Sequence, residues 1–321
     1  MTRLRLLADD LTGALDSAAR FVPLTGAVAV TWSDVAAAGS AAIDSGTRDM
    51  SPEWARKTVA ELAPLLDGGE PAFKKIDSLL RGHVAVELAA CMRRFDHCVL
   101  APAFPFQGRI TRNGRQFVRD GAVWRDVGVD LPSELRAQGI VANMRDAETE
   151  ADLDAIVAEG RRLPGRVLWC GTGGLAGALA GRRAVPRPVL PRPILALIGS
   201  DHPVSHAQVA AVPPKLRLSV IICDLPPATD RLEARERIGR DFSALLQRVG
   251  RPGTLFVTGG QTLRDLSDAL GVTGLQVDGE IEPGVPTSLM RGGPWDGQRV
   301  VSKSGAFGDT GFFAALLGET R

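Results

Sequence analysis

Two adjacent carboxylates, Asp9 and Asp10, close the apolar run Leu4–Ala8 and open a segment with helical spacing. One acidic residue there is explained by capping and the helix dipole; the second calls for a cation, a metal or a ligand. A second charged corner lies at Lys74-Lys75-Ile76-Asp77-Ser78-Leu79-Leu80-Arg81-Gly82. Arginine offers a planar fork suited to carboxylate or phosphate, and lysine a point charge. Such a cluster fits a small polyhydroxylated anion, against the plainer reading of a surface ion-pair group. Between the two sits Asp44-Ser45-Gly46-Thr47-Arg48-Asp49, which reads equally as a glycine turn with a surface arginine. Ala101-Pro102-Ala103-Phe104-Pro105, followed by Gly108-Arg109 and Asn113-Gly114, adds a rigid loop beside another arginine and is weak alone.

The second half carries glycine turns instead of charge: Gly199-Ser200, Thr258-Gly259-Gly260-Gln261-Thr262, Pro283-Gly284-Val285-Pro286 and Lys303-Ser304-Gly305-Ala306-Phe307-Gly308-Asp309. Glycine lets backbone approach phosphate closely, and helix-start amides bind anions. Several such turns at the ends of apolar strands, one with a lysine, argue for a nucleotide. There is no GxxxxGK[ST], which sets aside a Walker-type loop. No GxGxxG follows the first strand, which weakens a dinucleotide reading.

These corners need a scaffold, and the chain reads as strands alternating with helices. Strand-like runs are Leu4–Ala8, Ala27–Trp32, Ala41–Asp44, Ala72–Ile76, Cys98–Ala101 and Val167–Cys170, with helical patterns at Thr12–Phe21, Ser51–Leu66, His83–Arg94 and Asp146–Glu159. Asn113-Gly114 predicts an antiparallel hairpin. Gly181–Pro193, rich in proline and arginine, predicts a semi-rigid linker. Beyond it come strands at Ile194–Ile198, Leu218–Cys223, Thr254–Thr258 and Val300–Lys303, and helices near Val204–Val212, Asp230–Val249, Leu263–Leu270 and Thr310–Leu317. The expected class is α/β, with two domains, 1–188 and 189–321, each a mostly parallel sheet flanked by helices.

Composition fits that class. The chain has 321 residues, 45% hydrophobic and 23% charged, with 38 basic against 37 acidic side chains for a net +1. No net field draws it to nucleic acid or a membrane, and no apolar run reaches the ~18 residues of a spanning helix. Asp9 and Asp10 interrupt the apolar run where a signal peptide would continue. Cys91, Cys98, Cys170 and Cys223 lack CxxC spacing and read as reduced, buried small hydrophobes, which predicts a cytoplasmic protein.

In this order, the motifs ADDLTGALDSA, DSGTR, KKIDSLLRG, APAFPFQGRITRNG, GTGGLAGALA, GSDHPVSHAQV, TGGQT, EIEPGVP and KSGAFGD resemble the four-carbon acid sugar kinases from Ala8 to Asp309. The first, third and last are specific in combination. The resemblance implies an N-terminal acid-sugar-binding domain and a C-terminal ATP-binding domain, with phosphorylation of threonate, erythronate or 3-oxotetronate. It implies substrate contacts at Asp9, Asp10, Arg48, Lys75, Asp77, Ser78 and Arg81. It implies ATP contacts at Ser200, Gly259, Gly260, Gln261, Thr262 and Gly305. The chain departs from the family pattern in being shorter, after the hairpin and between Cys223 and Thr254. Gln116 and Phe117 stand where His and Tyr are usual, and Ala306 where Gly or Asn is common.

Phosphoryl transfer requires positioned reactants, neutralised charge and a group that accepts the hydroxyl proton. It also implies domain closure that excludes water. Arg48, Lys75 and Arg81 would hold the substrate carboxylate, and Mg²⁺ would bridge the phosphates with few protein ligands, so no protein metal site is expected. Asp10 and Asp77 are the preferred proton acceptors, with Asp309 a rival. The expected partners are ATP and a sugar acid, with a homo-oligomer left open. Three other readings remain: a kinase for another small hydroxy acid, a nucleotide-dependent binding protein without turnover, and an NAD-dependent dehydrogenase.

Overall fold

The computed structural model describes residues 2–33, 39–142, 144–222 and 231–318. The chain divides into two compact units, Met1–Val185 and Pro186–Arg321, the break falling within the proline-rich stretch. No helix among the described residues is long and apolar enough to cross a membrane.

The first unit contains β1 (Arg5–Ala8), α1 (Leu11–Thr25), β2 (Val28–Thr31), β3 (Ala41–Asp44), α2 (Pro52–Leu62), β4 (Ala72–Lys75), α3 (Val84–Met92), β5 (His97–Ala101), β6 (Arg109–Arg112), β7 (Arg115–Asp120), β8 (Val123–Asp126), α4 (Leu131–Ala137), α5 (Glu150–Gly160), β9 (Val167–Gly171) and α6 (Gly173–Leu179). Its main sheet runs β2-β3-β1-β4-β9-β5 and is parallel throughout. The strands are short and mostly buried, as expected where helices cover both faces, even though β4 carries Lys74 and Lys75. Phe21 of α1 meets Phe73 of β4 edge-on at 5.8 Å between ring centres.

The expected hairpin is present and gains a third strand: β6, β7 and β8 pair antiparallel, with Arg112 opposite Arg115 across the Asn113-Gly114 turn. Both turn residues have positive φ, as a two-residue hairpin turn requires. The helix expected from Asp146 begins only at Glu150. Thr149 and Asp152 close a capping box there. Asp146 instead accepts the amides of Asn113 and Gly114 at 2.7 and 2.9 Å, tying down the hairpin turn.

The second unit contains β10 (Ile194–Ile198), α7 (Pro203–Ala210), β11 (Val220–Ile222), α8 (Arg231–Val249), β12 (Thr254–Thr258), α9 (Gly260–Ala269), β13 (Gly274–Glu280), β14 (Pro286–Arg291), β15 (Arg299–Lys303) and α10 (Phe312–Gly318). Within it the strand order is β11-β10-β12-β15-β14-β13. The strands from β11 to β15 pair parallel, while β14 runs antiparallel to β15 and β13. Strands β13 and β14 had no counterpart in the sequence reading. Phe256, Phe312 and Phe313 pack into one aromatic cluster beneath β10 and β15. Cys223 and Asp230 lie outside the described residues; Cys91, Cys98 and Cys170 are free thiols, and burial pushes Cys91 up to about 12.

Candidate active site

The three charged corners of the first unit follow three adjacent strands, β3, β1 and β4. Ala8 is level with Asp44 on one side and Lys75 on the other, so the residues after each strand emerge at one edge. Ligands in open parallel sheets bind at such carboxyl ends, where the strand order reverses.

Arg48 ties this edge together. Its Nε donates to Asp9 Oδ2 at 2.7 Å, and its Nη2 to Asp9 Oδ1 at 2.9 Å and Asp10 Oδ1 at 2.7 Å. Asp77 Oδ1 lies 3.7 Å from the same Nη2. Asp10 also caps α1, accepting the Gly13 amide at 2.9 Å. Its side chain is 24% exposed, against 4% for Asp9 and 9% for Asp77, so it is the most open of the three carboxylates.

Asp77 is the most heavily bonded. It accepts Arg81 Nε at 2.9 Å and Nη2 at 2.8 Å, with the amides of Leu79 and Arg81 at 3.0 and 3.3 Å. Burial raises its pKa, but the Arg81 hydrogen bonds, then Arg48, Arg81 and Lys75, outweigh that and hold it far below the ordinary carboxylate range. Asp9 behaves likewise: burial pushes it up, and Arg48, Lys74 and Lys75 bring it down below its ordinary value. The Arg81 side chain stays 58% exposed while chelating Asp77.

Lys75 is buried, and its ammonium donates to Ile76 O at 2.8 Å. A Cβ on Gly13 would lie 2.6 Å from Asp10 Oδ1 and 2.8 Å from Lys75 Nζ, so a side chain there would push the carboxylate and the ammonium from their present positions. Ser78 is half-buried and its carbonyl accepts Gln116 Nε2 at 2.9 Å. Gln116, fully buried, also donates to Pro102 O and accepts from Thr111, pinning the hairpin to two strand ends.

Other residues at this edge were not among the expected contacts, although Lys74 and Arg109 stand in the charged corner and the rigid loop read from the sequence. Lys74 and Glu87 form a wholly buried pair at 2.6 Å, and Glu87 also accepts the Thr47 hydroxyl. Asp16 is buried with Oδ1 unpartnered. Burial raises its pKa against Arg20 and Lys75. Arg109 is near enough to Asp77 and Arg81 for both to act on it, although burial is what chiefly lowers its pKa.

The glycine turns of the second unit are brought together in the same way. β10, β12 and β15 are adjacent and parallel, with Ile198 level with Thr258 and Thr258 level with Lys303. The Gly259 amide donates to Lys303 O at 3.0 Å, and the Thr262 hydroxyl to Gly199 O at 3.4 Å. Gly260 and Gln261 open α9. A Cβ on Gly305 would fall 1.9 Å from Ser200 Oγ, so the loop after β15 can lie against the loop after β10 only as glycine. Lys303 is turned inward: it is 1% exposed and stands over the Phe312 and Phe313 rings, and burial lowers its pKa to about 8 with Glu282 opposing. Glu282, itself raised by burial and by Asp309, lies beside Gly308.

Residues 4–130 match a family model described as a sugar-binding N-terminal domain, and residues 224–313 one described as a nucleotide-binding C-terminal domain. The chain is 32% identical to the D-threonate kinase of Cupriavidus necator over 395 aligned positions, covering 94% of each chain. It is 27% identical to the 3-oxo-tetronate kinase of Pseudomonas fluorescens, covering 98% of this chain and 96% of that one. A crystal structure of a Salmonella typhimurium protein, 21% identical, matches the whole of both chains with a TM-score of 0.72, which shows the shared fold. The 395 aligned positions exceed the 321 residues of this chain, so the Cupriavidus relative has segments without a counterpart here.

Proposed function

Because the chain belongs to the four-carbon acid sugar kinase family, we propose that it transfers the γ-phosphoryl group of ATP to a hydroxyl of a sugar acid of the threonate, erythronate or 3-oxotetronate type. The observation that carries the reading is the pairing of two strand-end sites, one charged and one built of glycine turns, in a chain 32% identical to a D-threonate kinase.

In this reading the first unit takes the acid. Arg81, held by Asp77 yet open to solvent, meets the substrate carboxylate as a charge-assisted fork. Lys75 adds positive charge from below, and Arg48 keeps Asp9 and Asp10 in place. Ser78 lines the same corner. Asp10 is the proton acceptor, because it is the most open of the three carboxylates and is oriented by Arg48 and the α1 amide. Asp77 serves better as an anchor: a carboxylate held so far below its ordinary range accepts a proton poorly.

The second unit takes ATP, with its phosphates against Ser200, Gly259, Gly260, Gln261, Thr262 and Gly305. The Mg²⁺ that accompanies ATP would be held mainly by phosphate oxygens and water and would neutralise their charge. Asp309, exposed next to Gly308, would be a carboxylate able to join its shell. Incubation with ATP-Mg and a panel of four-carbon sugar acids tests the reading, with the phosphorylated position assigned by phosphorus NMR. Consumption of none of them above background would refute it.

A further inference from the structure

The loop after β15 has its peptide carbonyls gathered by buried side chains. Lys303 Nζ donates to Ser304 O at 3.0 Å and Phe307 O at 2.8 Å. From α7, Ser205 Oγ donates to Gly305 O at 3.0 Å, and Gln208 Nε2 to Phe307 O at 3.0 Å and Asp309 O at 2.8 Å. Lys303 is 1% exposed, and Ser205 and Gln208 are not exposed at all. In a trans peptide the carbonyl of one residue and the amide of the next point in opposite directions. The amides of Gly305, Ala306, Gly308 and Thr310 are therefore turned away from these donors. Gly305 is buried, Ala306 and Gly308 are half-buried and Thr310 is exposed, so the loop reaches the surface from Ala306 onward.

We propose that Ser205 and Gln208, with Lys303, are positioning residues that hold the 304–309 loop as an outward-facing amide cradle for the phosphates of the nucleotide. The inference rests on the nucleotide reading above and adds how the loop achieves it. Successive amides aimed at one place make an anion-binding concavity without a charged side chain. The lysine of Lys303-Ser304-Gly305 is thus a loop anchor buried beneath the cradle, not a phosphate ligand. Ser205 and Gln208 act through the loop from a helix that need not touch the ligand.

The test is isothermal titration of the full chain with ATP, with inorganic tripolyphosphate and with adenosine, alongside KM values for ATP and for the sugar acid. Gln208→Ala should weaken ATP and tripolyphosphate by about tenfold, leaving adenosine binding and the sugar-acid KM unchanged. Ser205→Ala should act in the same direction and Ser205→Thr, which keeps the hydroxyl, should restore binding. If Gln208→Ala does not fold, the Ser205 pair decides. Equal tripolyphosphate affinity in wild type, Ser205→Ala and any folded Gln208→Ala would overturn the clamp while leaving the nucleotide reading intact. Wild-type protein that binds neither ATP nor tripolyphosphate would overturn both.

Discussion

The Lys74 ammonium and the Glu87 carboxylate meet at 2.6 Å where neither reaches solvent. Glu87 also takes the Thr47 hydroxyl at 2.5 Å, so the pair ties α3 and β4 to the loop that delivers Arg48. Glu87→Gln would leave the ammonium buried without its counter-charge and should destabilise the first unit by about 3–5 kcal/mol. The double variant Lys74→Met with Glu87→Leu should recover most of that loss. Urea unfolding followed by fluorescence measures both, and an unshifted Glu87→Gln midpoint would refute the coupling.

Asp10→Asn keeps the helix cap, since asparagine caps as well as aspartate, and removes the basicity. It should lower kcat by at least ~10²-fold with sugar-acid affinity retained. A fast Asp10→Asn enzyme beside a slow Asp77→Asn or Asp309→Asn enzyme would move the proton acceptor to that residue.

Arg81→Ala deletes the exposed fork and leaves Asp77 with its backbone partners. Loss of one charge-assisted contact of roughly 1.5–3 kcal/mol should reduce kcat/KM for the acid about ten- to a hundredfold. ATP affinity should be unaffected; loss of ATP binding with intact acid binding would mean the two units have exchanged roles.

Gly260→Val introduces a branched side chain at the first turn of α9, and Gly305→Ala drives a methyl into Ser200. Both should raise the KM for ATP while leaving that for the acid in place. A folded Gly260→Val protein with wild-type nucleotide affinity would exclude this turn from the phosphate site.

Acid stability should depend on Asp77. Its folded-state pKa is depressed below the unfolded value near ~4. The stability it contributes is therefore complete above that value and is lost as pH falls through it toward the folded pKa. Asp77→Asn should flatten the acid limb of the stability curve of the first unit. An identical limb in both proteins would show that Arg81 and Arg48 do not stabilise the ionised form.

The charged corners were legible because each follows a run of apolar residues, and adjacent parallel strands bring such ends together. What was illegible was mostly long-range. Gly274–Glu280 mixes glycine and acids with its apolar residues, so β13 is defined by pairing with β14 and not by its own pattern. Glu87 sits in a helix otherwise apolar on the buried side, and its reason, Lys74, is on a strand. Ser205 and Gln208 look like ordinary helix residues until the 304–309 loop is folded against them. Asp146 read as a helix start because the turn it caps is more than thirty residues earlier, at Asn113.

Strand β9 lies between β4 and β5, although both precede it in the chain. A ribosome extending this polypeptide releases β4 and β5 while the piece that joins them is still unmade. Until Val167–Gly171 emerges, each presents an open edge to a vacant lane about 10 Å wide, twice the spacing of neighbouring strands. Such edges pair with whatever extended chain is nearest, so nascent protein stalled in the hairpin or in α5 is the form most in need of chaperone cover. Arrival of Leu168, Trp169 and Cys170 closes the lane, and vectorial synthesis thereby completes this sheet by inserting an interior strand last.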